Sequence, residues 1–157
     1  MADTPISLAQ LNELGLLKFT AALLPLYGNA GWVPPLAYAQ RPFLNLDHLH
    51  RTMADIVVSA DPATKEQMIH AQPDSLNGAG TARPFTEEER NRLRKIQVDY
   101  LAKFGFPLVI SAAGETPEAL FEAVAARLAN TREQEVTNSL DEAAKIARFH
   151  LRSLVQE

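Results

Sequence analysis

The sequence has no cysteine among its 157 residues. This absence excludes a disulfide framework, thiol catalysis and metal sites built from thiolates, and it is typical of a reducing compartment. Hydrophobic residues make up 46% of the chain and charged residues 22%, which is ordinary globular usage. A chain of this length buries roughly 68–70% of its unfolded surface on folding. We therefore expect one folded domain over residues 1–157 and a cytoplasmic location.

Long apolar runs and long basic runs are also missing. No stretch approaches the ~20 apolar residues that a membrane-spanning helix needs, and Met1 to Pro5 lack the features of a signal peptide. The formal net charge is -4, and no cluster of lysine or arginine is long enough to follow a phosphate backbone. We therefore expect neither a membrane nor a nucleic acid as a partner.

Helix start signals recur along the chain. A hydroxyl residue followed three positions later by Gln or Glu forms a capping box, which satisfies free N–H groups of a first turn. Such pairs stand at Ser7 and Gln10, Thr86 and Glu89, and Thr131 and Gln134. Further caps are Asn45, Asp61-Pro62 and Thr116-Pro117. The sequence predicts an all-α, single-domain bundle of about seven or eight helices.

The apolar faces of two helices follow from residue spacing. The second helix is expected to run from Leu16 to Tyr27, with Leu17, Ala21, Leu24 and Tyr27 on its apolar side. The helix that starts after Thr86 is expected to turn an inner face toward the core. Its members are Leu93, Ile96, Val98, Tyr100 and Leu101.

Two interruptions of the helical pattern predict a candidate pocket. Gln72-Pro73 ends a helix, because the residue before proline is pushed out of the α region. The run from Phe106 to Ile110 is the only β-like stretch, and it predicts a single extended segment rather than a sheet. A helix end, a proline and an extended segment that face each other can line a ligand site.

The titratable residues do not form a recognisable catalytic or metal motif. His48 and His50 are two positions apart, whereas two metal ligands on one helix face need a spacing of three or four. His70 is two residues from Gln72, so we expect it on another face of its helix. Glu87 and Glu88 stand in a predicted first turn, where carboxylates complement the helix dipole. We expect no metal site.

The chain resembles the OHCU decarboxylase family, whose members convert 2-oxo-4-hydroxy-4-carboxy-5-ureidoimidazoline (OHCU) to (S)-allantoin in urate degradation. Eight short segments follow the family's order between residues 7 and 155. They include residues 39–43 (AQRPF), 46–50 (LDHLH), 71–74 (AQPD) and 100–107 (YLAKFGFP). The resemblance implies an all-α fold, a homodimer, and a carboxy-lyase site that uses no cofactor.

The sequence departs from the family's pattern at the three residues that the resemblance makes functional. The family has a catalytic histidine at the position of Gln72, and glutamine does not change protonation near neutral pH. The family's Ser-x-x-Glu-Gln stretch, which supplies the glutamate of the acid/base pair, has no counterpart here. The family's arginine position corresponds to Ala113.

These departures lead to one main interpretation and two alternatives. The main one is a family member associated with urate degradation whose rebuilt site has reduced or lost decarboxylase activity, that is, a pseudoenzyme. A small ureide-type ligand is expected in a pocket lined by Gln72, Pro73, Phe106, Pro107 and Ile110. The alternatives are a non-catalytic binding or scaffold protein on the same fold, and an enzyme for a different ureide-like substrate.

Overall fold

Eight α-helices and one 3₁₀ helix form most of the described chain. The structure is a computed structural model that describes residues 5–27, 30–72, 81–112 and 114–157. The α-helices are α1 (Leu8–Glu13), α2 (Leu16–Leu23), α3 (Val33–Tyr38), α4 (Leu46–Val58), α5 (Pro62–Ala71), α6 (Glu87–Phe104), α7 (Pro117–Leu128) and α8 (Arg132–Leu154), and the 3₁₀ helix is Leu24–Tyr27. The predicted all-α bundle is confirmed.

The predicted caps are present where the sequence placed them. Both hydrogen bonds of the capping box form at the starts of α1, α6 and α8. The side chains of Asn45, Asp61 and Thr116 each accept a hydrogen bond from the backbone N–H three residues later. Gly105 ends α6 with a φ of 80°, a conformation that costs glycine little. These ends depend on residues within one turn, which explains why sequence predicted them.

Helix α8 supplies a central face of the core. It packs against α2, α4, α5 and the 3₁₀ helix. Its buried apolar residues lie on one stripe and are Leu140, Ala143, Ala147 and Leu151. Alanine at two of these positions lets neighbouring helices approach closely, because interaxial distance depends on the side chains at the contact.

A two-residue parallel strand pair joins the two ends of the described chain. Strand β1 (Ile6–Ser7) pairs with β2 (Val155–Gln156), with Ile6 opposite Val155. The sequence did not predict this pair, since two residues are too few to show alternation. The run over residues 106–110 belongs to no helix and joins no sheet in the described chain, in agreement with the expectation that it does not form a sheet.

The predicted apolar side of the second helix was wrong except at Tyr27, which is buried. Leu17 is 85% exposed, while Phe19, Leu23 and Leu26 are buried. The helix also ends at Leu23 and continues as the 3₁₀ helix, because Pro25 has no N–H to donate in an α-helical turn. Apolar residues occur on both stripes of this helix, so periodicity alone did not distinguish them.

The predicted inner face of α6 was wrong in two positions. Val98 is 66% exposed and Leu101 is 48% exposed. The buried residues are Leu93, Tyr100 and Phe104, which recur at i, i+7 and i+11 on one side of the helix. Val98 and Leu101 lie on the neighbouring stripe, and that stripe faces a cavity.

Candidate functional site

A cavity of about 540 Å³ lies between the end of α5, one side of α6 and the extended segment that follows α6. It has the size of a small-molecule site. Its described lining residues are His70, Gln72, Arg94, Gln97, Val98, Leu101, Pro107 and Leu108. The cavity therefore lies where the two interruptions of the helical pattern predicted a pocket.

Gln72 is held in place by its own amide group. It caps the C-terminus of α5, and its Nε2 donates to the backbone carbonyl of Met68 at 3.1 Å and to that of Tyr27 at 3.2 Å. Both amide hydrogens are therefore used within the protein. The amide oxygen takes no part in either contact, so Gln72 offers the cavity a hydrogen-bond acceptor.

His70 lies at the same cavity as Gln72, and the expectation that it faces elsewhere was wrong. The two residues are at the end of α5, where Gln72 has left the helical conformation with a ψ of 138°. Helical angles therefore no longer fix the direction of Gln72 relative to His70. The exposed imidazole of His70 therefore lies at the same cavity as Gln72, the position at which the family resemblance expects a histidine.

One stripe of α6 forms the opposite wall. Arg94, Gln97, Val98 and Leu101 follow the spacing i, i+3, i+4 and i+7 and all line the cavity. The sequence pattern predicted Val98 and Leu101 in the core and Arg94 on a solvated face, and it gave no role to Gln97. The sequence contained a signal for this wall, because Arg94 shares helical spacing with Val98 and Leu101. The buried stripe of α6 is already complete with Leu93, Tyr100 and Phe104.

The extended segment divides its side chains between the cavity and the core. Pro107 and Leu108 line the cavity, whereas Phe106 is completely buried and packs against Tyr100 and Phe104. Ile110 borders a separate cavity of about 210 Å³. Of the predicted site residues, the structure thus brings Gln72 and Pro107 together, with Phe106 supporting from behind. Pro73 and Ala113 lie outside the described residues.

A buried polar network fixes the extended segment from the core side. Arg127 donates through Nη1 to the backbone carbonyl of Val109 and through Nε to Glu135 Oε1 at 2.7 Å. Tyr100 donates to the same carboxylate oxygen at 2.6 Å. Two charges that are each 9% exposed or less are thereby paired and hydrogen-bonded, as buried ions must be.

The protonation states of this network follow from its contacts. Burial by itself raises the pKa of Glu135, but hydrogen bonds from Tyr100, two asparagines and Arg127 outweigh it and lower the pKa below the usual range. Burial and the bond to Glu135 raise the pKa of Tyr100 to about 12. Arg127 and Glu135 therefore carry opposite charges that cancel within the network. Through the bond from Arg127 to the Val109 carbonyl, the network positions the segment that carries Pro107.

The carboxylates near the start of α6 have structural roles. Glu89 completes the capping box and pairs with Arg83 at 2.9 Å; the bond to Arg83, with that from Thr86, lowers the pKa of Glu89 to about 2. Neither Glu87 nor Glu88 is among the described lining residues of the cavity.

The part of the chain that the structure describes holds no cluster of three His, Asp or Glu residues suited to a metal ion. None of its helices combines the length and the hydropathy needed to cross a bilayer.

Comparison with known proteins decides the family. A family model described as OHCU decarboxylase matches residues 12–152. The chain belongs to the OHCU decarboxylase family. The resemblance drawn from eight short segments is thus confirmed for nearly the whole chain.

Members of the family that resemble this chain differ in length. The uric acid degradation bifunctional protein PucL of Bacillus subtilis is 30% identical over 94% of this chain, but this chain spans only 32% of that relative. The 2-oxo-4-hydroxy-4-carboxy-5-ureidoimidazoline decarboxylase of Haloferax volcanii is 27% identical, and the match covers 93% of this chain and 94% of the relative.

Two solved structures have the same fold as this family member. A crystal structure of (S)-allantoin synthase matches with a TM-score of 0.82 and 22% identity, covering 97% of this chain and 54% of that chain. A crystal structure of OHCU decarboxylase in the presence of (S)-allantoin matches with a TM-score of 0.64 and 21% identity, covering 74% and 85%. At these identities the likeness establishes the fold.

Proposed function

We propose that this protein serves in urate degradation as an OHCU decarboxylase family member that binds a ureide-type ligand at the Gln72 cavity and decarboxylates OHCU only slowly. Family membership supports the pathway, since relatives are named for uric acid degradation and for OHCU decarboxylation. A solved structure with the same fold was determined in the presence of (S)-allantoin, which supports a ureide as ligand.

The proposal of reduced activity rests on the chemistry and the hydrogen bonds of Gln72. The resemblance puts the family's histidine at this position, and both amide hydrogens of Gln72 are committed to backbone carbonyls. Glutamine neither accepts nor releases a proton near neutral pH. Loss of a general acid or base typically costs about 10²–10⁴-fold in rate. We therefore expect OHCU decarboxylation to be at least about 10²-fold slower than in a family member with the full acid/base pair.

The same cavity keeps features that suit a small ureide. The amide oxygen of Gln72 can accept a hydrogen bond from a ureide N–H group. Val98, Leu101, Pro107 and Leu108 give an apolar wall. A few polar groups on an apolar lining are what small-molecule sites generally present, so binding does not require the lost catalytic residues.

A stereospecific assay tests the proposal. Freshly made OHCU is mixed with the protein, and the appearance of (S)-allantoin is followed by its optical activity, with an authentic family enzyme in parallel. We expect a kcat/KM at least ~100-fold below that of the authentic enzyme. Turnover equal to the authentic enzyme would contradict the proposal and would mean that another acid/base pair acts at the site.

Ligand binding separates this function from that of a scaffold. Isothermal titration with (S)-allantoin should give a saturable heat that Leu101→Asp weakens, because a carboxylate on the apolar wall repels a ligand's carbonyl oxygens and keeps the wall hydrated. Val58→Asp is the matched control, since Val58 is 56% exposed and is not among the described lining residues of the cavity. Absence of binding by the wild-type protein would favour a scaffold.

The homodimer and the cytoplasmic location expected from the sequence belong to the proposal as well. Leu17 at 85% exposure and Leu44 at 82% are apolar side chains that a second copy could cover. Sedimentation equilibrium should give twice the chain mass of 17.3 kDa. A single-chain mass at micromolar concentration would contradict the homodimer.

A further inference from the structure

The Gln72 cavity has a positive charge that the described lining does not compensate. Arg94 is on its wall, His70 is beside Gln72, and none of the described lining residues is an aspartate or a glutamate. Glu87 is on the same side of α6 but seven residues earlier, which places it about 10 Å away along the helix axis. Charges at that separation are largely screened at physiological salt. Glu66, one turn before His70 on α5, is paired with Arg132.

Arg94 differs from the arginines whose guanidinium groups are engaged in structural contacts. Arg83, Arg127, Arg132 and Arg148 each pair with a carboxylate. In the described chain, Arg94 has a single hydrogen bond, from Nη1 to Asn91 Oδ1 at 3.4 Å, and no ion pair. Its guanidinium therefore retains most of its five N–H donors for a ligand.

We propose that Arg94 binds a carboxylate of the ligand, so that the Gln72 cavity prefers an anionic ureide to a neutral one of the same shape. The inference rests on the proposed function, since it assigns the charge of the ureide that the cavity binds. A guanidinium matches a carboxylate with two parallel hydrogen bonds, which are stronger than neutral ones. The amide oxygen of Gln72 then accepts from the ureide N–H, so the two ends of one ligand are recognised by different groups.

This anchor also accounts for binding without fast decarboxylation. Carbon dioxide leaves as a neutral molecule, so an arginine that holds the reacting carboxylate stabilises the reactant more than the transition state. Interactions that are stronger in the ground state tighten binding and do not raise kcat. Arg94→Gln should therefore raise KM for OHCU, with kcat unchanged or higher.

A matched pair of ligands tests the preference directly. Hydantoin-5-acetate and hydantoin-5-acetamide have the same shape and differ in charge. We expect the wild-type protein to bind the acetate about 10-fold more tightly by isothermal titration, equivalent to about 1.4 kcal/mol. Arg94→Gln should bind both equally, with the affinity for the acetamide unchanged. The preference should shrink as salt is raised from 50 to 500 mM, because the pair is partly exposed to solvent.

Controls give each outcome a meaning. Arg152→Gln removes an exposed arginine far along α8 and should leave the 10-fold preference intact. Equal wild-type affinity for the two ligands, or a preference that survives Arg94→Gln, overturns the role of Arg94 and leaves the proposed ureide site standing. If neither hydantoin nor (S)-allantoin binds, the ureide site itself is refuted, and the carboxylate preference with it.

Discussion

The side-chain amide of Gln72 donates to the backbone carbonyl of Tyr27 across 3.2 Å, which ties the end of α5 to the end of the 3₁₀ helix. A second bond, to Met68 at 3.1 Å, fixes the same nitrogen from within α5. The residue that replaces a catalytic histidine in the family resemblance is thus a structural link between two elements. Because these carbonyls take both amide hydrogens, the amide oxygen is the group that Gln72 has left for a ligand.

Gln72→Glu tests that link. A carboxylate of the same size cannot donate to the two carbonyls, so we expect a loss of about 1–2 kcal/mol in the free energy of unfolding at pH 7. Carbonyl oxygens beside the carboxyl favour its neutral form, so its folded pKa lies above the unfolded value of about 4.3. The protonated form keeps one donor, and the destabilisation should therefore be smaller at pH 4 than at pH 7.

Urea unfolding at the two pH values measures the effect. Gln67→Glu is the matched control, because Gln67 is exposed on the same helix. Equal stability of Gln72→Glu and Gln67→Glu at pH 7 would show that the two hydrogen bonds of Gln72 contribute nothing to the fold.

His70→Asn tests whether residual turnover uses the imidazole in the cavity. Asparagine keeps a hydrogen-bonding group but cannot exchange a proton near neutral pH. We expect the slow OHCU turnover of the wild-type protein to fall by at least ~100-fold, because a general acid or base typically contributes that much to the rate. His150→Asn, which changes an exposed histidine on α8, should retain the wild-type rate. A full rate in His70→Asn would exclude His70 as the acid/base.

Tyr27→Phe tests a buried hydroxyl. Tyr27 is 2% exposed, and its hydroxyl makes no hydrogen bond in the described chain. Burial raises the pKa of Tyr27 accordingly. Since an unsatisfied buried hydroxyl costs about 1–3 kcal/mol, removing it should raise the free energy of unfolding by about 1 kcal/mol. The half-buried Tyr38, changed to Phe, should alter stability by less than about 0.5 kcal/mol. Destabilisation by Tyr27→Phe would show that the hydroxyl has a partner such as a bound water.

Glu135→Gln tests the buried network behind the extended segment. The change leaves the charge of Arg127 uncompensated, and breaking a buried pair in this way costs about 3–5 kcal/mol. The pKa of Glu135 is lowered in the folded state, so its contribution is present above the unfolded pKa of about 4.3 and is lost as pH falls through the folded pKa.

The stability difference between wild type and Glu135→Gln should therefore be large at pH 7 and shrink on acidification below pH 4. Guanidinium unfolding at a series of pH values provides the comparison. Glu133→Gln, at an exposed position two residues earlier, should unfold like the wild type throughout. A difference that stays constant down to pH 2 would mean that the Glu135 carboxylate has no role in acid stability.

The sequence predicted two of the eight described lining residues of the cavity, Gln72 and Pro107. The structure brings these two residues to one cavity, and the sequence could indicate this because a proline that stops a helix and a proline in a non-helical run are local signals. Phe106 was assigned to the pocket and is instead in the core against Tyr100 and Phe104, because the positions of the neighbouring helices decide which side chains of this segment are buried. Ile110 borders a different cavity.

What the sequence determined by itself is where the capped helices begin and where α6 ends. Thr86, Thr131 and Gly105 act on backbone groups within one turn, so their effect does not depend on the rest of the molecule. The tertiary structure alone decided that Val98 and Leu101 face the cavity and that His70 lies beside Gln72. A helix with apolar residues on two stripes can bury either one, and only the positions of the other helices determine which stripe is left to a ligand.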